Sequence, residues 1–194
     1  MSSAQPLPRT GVAPPSAAQQ RVIAAALELF ARHGVGGTSL QMIADEIGVT
    51  KAAVYHQYKS KDEIILAAAE SELLRVEEVL AAAEAQPSRK KARDHLIDGM
   101  IDLAVSDGRT VGTVLNDPII VGFFTDHELF RDVFHRLRVV LIGDDAGPEA
   151  RVRTAMLIAA TSGAVMHPFV ADLDDETLRT QLTHLARRFL GLSG

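Results

Sequence analysis

Apolar residues recur three and four positions apart along nearly the whole chain, and no run alternates apolar and polar positions between turns. The pattern therefore predicts an all-α protein. A first helix is expected to start at Ser16, whose spacing to Gln19 suits a capping box. It should carry Ile23, Ala26, Leu27 and Phe30 on one face and stop at Gly34. Thr38 with Gln41 and Ser60 with Glu63 repeat that cap spacing and place helix starts near 39 and 61, leaving room for two short helices before Tyr58. The helix from Ser60 should reach about Glu84, break at Pro87-Ser88 and give way to another ending at Ser106, before Asp107-Gly108. A short piece is expected at 110–115, up to Asn116-Asp117-Pro118. A longer helix then has Phe130, Val133, Leu137, Val140 and Leu141 on one side, and 143–148 is a loop. Two last helices, about 148–166 and 175–190, are separated by His167-Pro168 and an acidic cap at Asp172, Asp174 and Asp175.

With 194 residues, 47% hydrophobic and 23% charged, the chain has material for a buried core and is not a disordered one. Cysteine is absent, which excludes disulfides, thiolate metal sites and cysteine nucleophiles, and suits a cytoplasmic location. No apolar run is longer than that at 64–69, which is far short of the roughly 18 residues a membrane span needs. Residues 1–15, rich in proline, are read as a flexible tail in which Arg9 has no assigned role. The net charge of −5 argues against nucleic acid until it is divided: residues 1–66 carry +1 and residues 67–194 carry −6. The front of the chain is free to approach phosphates.

The segment from Thr38 to Tyr58 has the spacing of a helix-turn-helix. Ala44 is small where two helices cross, Gly48 sits in the tight turn, and Val54 anchors the second helix, with Ile43, Ile47 and Val49 completing a small core. That second helix, about 50–57, would face outward with its N-terminus toward a major groove. Phe30-Ala-Arg-His-Gly34, Thr38, Ile43-Ala44, Gly48-Val49 and the run from Tyr55 to Ile64 together resemble the DNA-binding domain of the TetR family of transcriptional regulators. The resemblance covers about residues 17–66; the later helices fit that family in number and order but carry no identifying motif. Gln57 is polar where many such units are apolar, which leaves Tyr58 to do that packing.

The resemblance implies an N-terminal three-helix DNA-binding domain at 16–66 and a helical effector-binding and dimerisation domain at 67–194. It also implies that Thr38, Tyr55, His56 and Lys61 meet phosphates, with Thr50, Lys51, Ala52 and Ala53 at base edges. The chemistry is compatible: hydroxyls and an amine suit phosphate oxygens, a lysine can donate to guanine, and an alanine methyl can pack on a thymine methyl. On the last two helices, Val152, Ala155, Met156, Ala159 and Gly163 form one stripe and Leu178, Leu182, Leu185 and Phe189 another. They serve either the chain's own core or, as the resemblance implies, a four-helix interface between two subunits. Met100, Leu103, Val111, Leu115, Phe123, Phe124, Phe130 and Phe134, with Asn116 and His127 nearby, offer apolar surface for a small effector.

His95, Asp98 and Asp102 share a helical face, which is read as a solvated stripe rather than a metal site, and the other histidines are too scattered to form one. Neither a phosphate-cradling glycine loop nor a nucleophile elbow is present in the sequence, so no catalytic set and no cofactor is expected. The expectation is a homodimeric, ligand-responsive regulator, a repressor of double-stranded operator DNA released by a small apolar effector. The alternative is a helical ligand-carrying or enzymatic protein whose helix-turn-helix is a relic.

Overall fold

The computed structural model describes residues 15–106, 128–144 and 147–191, and every regular element among them is helical. The chain is all-α, as its hydrophobic period predicts, with an N-terminal helix-turn-helix unit and a C-terminal helical domain. In chain order the elements are α1 (Ala17–Gly37), α2 (Leu40–Glu46), α3 (Lys51–Gln57), α4 (Lys61–Glu84), α5 (Arg89–Ser106), α6 (Glu128–Ile142), α7 (Pro148–Ala164), a 3₁₀ turn (Pro168–Val170) and α8 (Asp175–Phe189). The expected piece at 110–115, and with it Val111, Leu115, Asn116, Phe123, Phe124 and His127, lies outside the described residues.

The local signals explain most of these limits. Ser16 and Gln19 form the full reciprocal capping box at the start of α1, and Gly34 interrupts its helical geometry at φ 71°. At α4, Ser60 accepts from the Glu63 N–H at 3.1 Å, but the Glu63 carboxylate reaches back to the N–H of Lys59 rather than of Ser60. Asp174 caps α8 by accepting from Thr177 at 2.7 Å, and those hydrogen bonds hold its carboxyl below the usual range. The second expected cap needs correction: Ser39, not Thr38, caps α2, accepting from the Met42 N–H at 3.2 Å.

α4 is the spine of the molecule. One end packs on α1, and further along it meets α5 and α6. Ile64, Ile65, Ala68, Ala69, Glu72, Leu73, Val76, Leu80 and Ala83 are its buried positions. α5 lies close against it, since a Cβ added at Gly99 would come within 2.5 Å of Val79 Cγ1 and force that side chain to shift. Of the expected face of α6, Phe130, Val133, Leu137 and Leu141 are buried and Val140 is partly buried against the same core. Arg136 fastens α6 to α4 by hydrogen bonds to both Glu84 carboxylate oxygens (3.0 and 2.7 Å) and one to Glu77 (3.2 Å).

The acidic face of α5 keeps the expected contact with solvent, His95 and Asp102 being exposed, and it is also paired with α8. Arg187 of α8 donates to both oxygens of Asp98 at 2.9 and 3.0 Å, and Arg179 donates to Asp102, so the face is a seam between α5 and α8. Burial raises the Asp98 pKa; Arg187 opposes this, while Asp94 and Asp102 add to it. Among the described residues no cluster of three potential metal ligands occurs, and no described helix is long and apolar enough to cross a membrane.

Candidate nucleic-acid interface

The helix-turn-helix is assembled from an apolar interior. Ile43 and Ala44 of α2 and Val54 of α3 have at most 1% of their surface exposed, and they pack with Phe30 and Val35 of α1 in one continuous core. Gly48 takes φ 68° in the turn, a left-handed backbone that a β-carbon disfavours. Backbone N–H groups of Gly48 and Val49 donate to Asp45 and Ala44 at 3.2 and 2.9 Å and tighten the turn. Arg21 of α1 donates to the Ile47 carbonyl at 3.2 Å, and Arg32 pairs with Glu46 at 2.7 Å, so the pair of helices is tied to α1 from two sides.

Fixing Val54 inward turns the rest of α3 outward. Lys51, Ala52, Ala53, Tyr55 and His56 are exposed, with Tyr55 47% accessible although aromatic. Thr50, also exposed, caps α3 by accepting from the Ala53 N–H at 3.2 Å, so its hydroxyl has a structural task as well as a place at the edge of this face. Lys61 is half-buried at the first position of α4. These residues are drawn onto neighbouring surface by α3 and its flanking turns.

Thr38 does not join them. It is 3% exposed, and its hydroxyl donates to the Gly34 carbonyl at 2.9 Å, so it closes the corner after α1 instead of offering that hydroxyl to a phosphate. Tyr58 is 8% exposed and performs the packing that Gln57 cannot, and burial, with Glu70 and Glu63 nearby, raises its phenol pKa. Lys59 was absent from the expected contact set. Its ammonium donates to the Tyr55 and His56 carbonyls at 3.3 and 3.5 Å, placing a cation at the end of α3. A basic residue two positions beyond an expected helix end is the signal that identifies such a group.

The other expected sites divide. Phe130 is 1% exposed within the core, whereas Phe134 is 44% exposed, so the two do not line one enclosed space; Met100 and Leu103 are half-buried on α5. Val152, Ala155, Met156, Ala159 and Gly163 of α7 all lie exposed, as do Leu185 and Phe189 of α8. Leu178 instead turns into the chain's own core at 8% exposure, and Leu182 packs partly against it.

Residues 22–68 match the sequence profile described as bacterial regulatory proteins, tetR family. An uncharacterized HTH-type transcriptional regulator, YerO of Bacillus subtilis, is 40% identical over 52 residues, 27% of this chain and 18% of that protein. The HTH-type transcriptional repressor AcnR of Corynebacterium diphtheriae is 29% identical over 63 residues, 32% of this chain and 33% of that protein. The chain thus spans only 18% and 33% of the length of these two relatives, and the profile match falls on the N-terminal helices. The fold extends further: the crystal structure of a TetR-like transcriptional regulator from Rhodococcus sp. RHA1 superposes with a TM-score of 0.68 at 21% identity. That superposition covers 94% of this chain and 100% of that one. Residues 22–68 thus carry a helix-turn-helix similar to that of the tetR family of bacterial regulatory proteins.

Proposed function

We propose that the protein is a homodimeric transcriptional repressor that binds a palindromic operator through α3 and is released by a small apolar effector. The carrying observation is the outward face of α3, where Lys51, Ala52, Ala53, Tyr55 and His56 stand exposed on a helix whose position is fixed by the buried Ile43, Ala44 and Val54. The printed names of the relatives, a regulator and a repressor, support the same reading. In it, residues 16–66 bind DNA, with Lys51 and the two alanines at base edges and Tyr55, His56, Lys59 and Lys61 near phosphates.

Two copies would present two α3 helices about one DNA turn apart, roughly 34–36 Å, to successive major grooves. Residues 67–194 would hold the effector between the helices that follow α4, where Met100 and Leu103 are half-buried. An effector preferring a different separation of the two α3 helices would lower DNA affinity by linkage. The test is selection of fragments from the source genome on the purified protein at several salt concentrations. Enrichment of a two-fold symmetric sequence, bound less tightly as salt rises, supports the proposal. Retention of no fragment would favour the ligand-carrying or enzymatic alternative.

A further inference from the structure

α7 and α8 form a hairpin, and where α7 begins and α8 ends they wall an open hollow of about 390 Å³. Pro148, Val152 and Met156 of α7 and Phe189 of α8 give it a largely apolar lining, to which Glu149 and Arg153 add the polar side chains. Val152, Met156 and Phe189 are exposed, so no described part of the chain covers them. Met100 and Leu103, assigned to the apolar effector, take no part in this lining.

Arg153 sets the hollow apart from a bare apolar patch. Its side chain is half-buried and its Nε is shut off from solvent without a hydrogen-bond partner; among the described residues it forms no ion pair. By contrast, Arg32, Arg75, Arg136, Arg138, Arg179 and Arg187 each reach a carboxylate. Glu149 stands four residues before Arg153, the order and spacing that favour a helical ion pair, yet it is exposed and does not pair with it. A guanidinium drawn out of water without an acceptor costs the fold free energy. A carboxylate would remove that cost by accepting two parallel hydrogen bonds.

We infer that the hollow binds a small organic acid, its carboxylate held by Arg153 and its aryl or alkyl body laid on Val152, Met156 and Phe189. This is a second ligand site, beyond the operator and the effector of the proposed function. Its size is suitable, since about 150 Å³ holds benzene and pockets for small molecules start at roughly 300 Å³. The guanidinium has donors and no acceptor, which selects an acid over an amine. Glu149 on the rim repels a second negative charge, which selects a monocarboxylate over a dicarboxylate or a phosphate dianion. Val152, Met156 and Phe189 also belong to the stripes expected between subunits, so a second copy is the competing occupant.

Methionine methyl resonances of the full-length protein read the site, because Met156 lines the hollow and Met100 lies on α5. On titration with phenylpropionate the Met156 resonance should move and that of Met100 should stay. Phenylpropanol, a hydroxyl in place of the carboxylate, should bind at least about 10-fold more weakly, the scale of one charge-assisted hydrogen bond. Arg153→Gln should lose as much affinity for phenylpropionate, with unchanged helical circular dichroism. Equal binding of the acid and the alcohol, or an Arg153→Gln variant that binds the acid as wild type does, overturns the site. A Met156 resonance that responds to protein concentration and not to phenylpropionate puts a second copy in the hollow, which overturns the site and leaves the dimer standing. Movement of Met100 alone places the acid in the effector region and likewise overturns the hollow as its site.

Discussion

The helices α1 to α3 and the hairpin α7–α8 both carry apolar residues at helical spacing, yet they dispose of them in opposite ways. In the first region Phe30, Val35, Ile43, Ala44 and Val54 are at most 1% exposed, and Tyr55 is the exception that stands out on the surface. In α7 the buried position is Thr154, whose hydroxyl has no hydrogen-bond partner among the described residues, while Val152, Met156 and Ile158 are 45–59% exposed. The first region closes its own core, so the direction in which α3 points is fixed within one chain. The second leaves apolar surface uncovered, of the kind an interface would bury, and its geometry depends on what covers it.

Substitutions separate the two. Phe30→Ala should have the largest effect on stability, a loss of about 3–5 kcal/mol, because a fully enclosed ring would leave a cavity between α1 and its neighbours. Chemical denaturation reads this, and DNA binding should be lost with the fold. Ala159→Arg, on the exposed side of α7, should leave that stability of the monomer intact and weaken self-association by roughly 100-fold, since a guanidinium at the helix crossing would be buried without a partner. Analytical ultracentrifugation should show monomers of native helicity; a stable dimer would place the interface elsewhere.

Smaller effects test the α3 face. Lys51→Ala should cost about 1–3 kcal/mol at one base pair and alter sequence preference. An equal loss on every sequence would move Lys51 among the phosphate contacts. Lys61→Ala should weaken binding to all sequences alike and make the salt slope shallower by about one unit, as titrations at several salt concentrations would show. The smallest change belongs to the α5–α8 seam. The folded-state pKa of Asp98 is raised, so this carboxyl contributes stability below its ordinary value of 3.8 that is lost as pH rises through the folded-state value. Asp98→Asn should therefore shift the melting temperature at neutral pH by no more than about 2 °C and flatten its dependence on pH just above 3.8.

Much of the fold was legible because helix ends are written locally. Ser16 with Gln19, the break at Pro87-Ser88 and the cap at Asp174 depend on residues within one turn of each other, and each stands where its spacing placed it. Thr38 and Ser39 show the limit of that logic: both can cap, and the better spacing to Gln41 favoured the wrong one. The choice was made by tertiary packing, which buries Thr38 against the end of α1. The α5 stripe shows another limit. Helical spacing reveals that His95, Asp98 and Asp102 share a face, but not that Arg179 and Arg187, 77 and 89 residues distant from their partners, would pair with Asp102 and Asp98. For the same reason Leu178 and Leu185, seven residues apart in one stripe, end on opposite terms: one in the chain's own core, the other 56% exposed. Within the helix-turn-helix, by contrast, Gly48 answers to the turn it sits in, and Val54 and Tyr58 are buried where the motif spacing places them.

The central claim is that α3, fixed by its own core and doubled by a second copy, reads a symmetric site in DNA. The most direct measurement is the stoichiometry and salt dependence of the complex with a fragment selected from the source genome. Two chains per fragment are expected, protecting two half-sites one helical turn apart, with affinity falling linearly on a log–log plot against salt. A single chain on an asymmetric site, or affinity indifferent to salt, would contradict it.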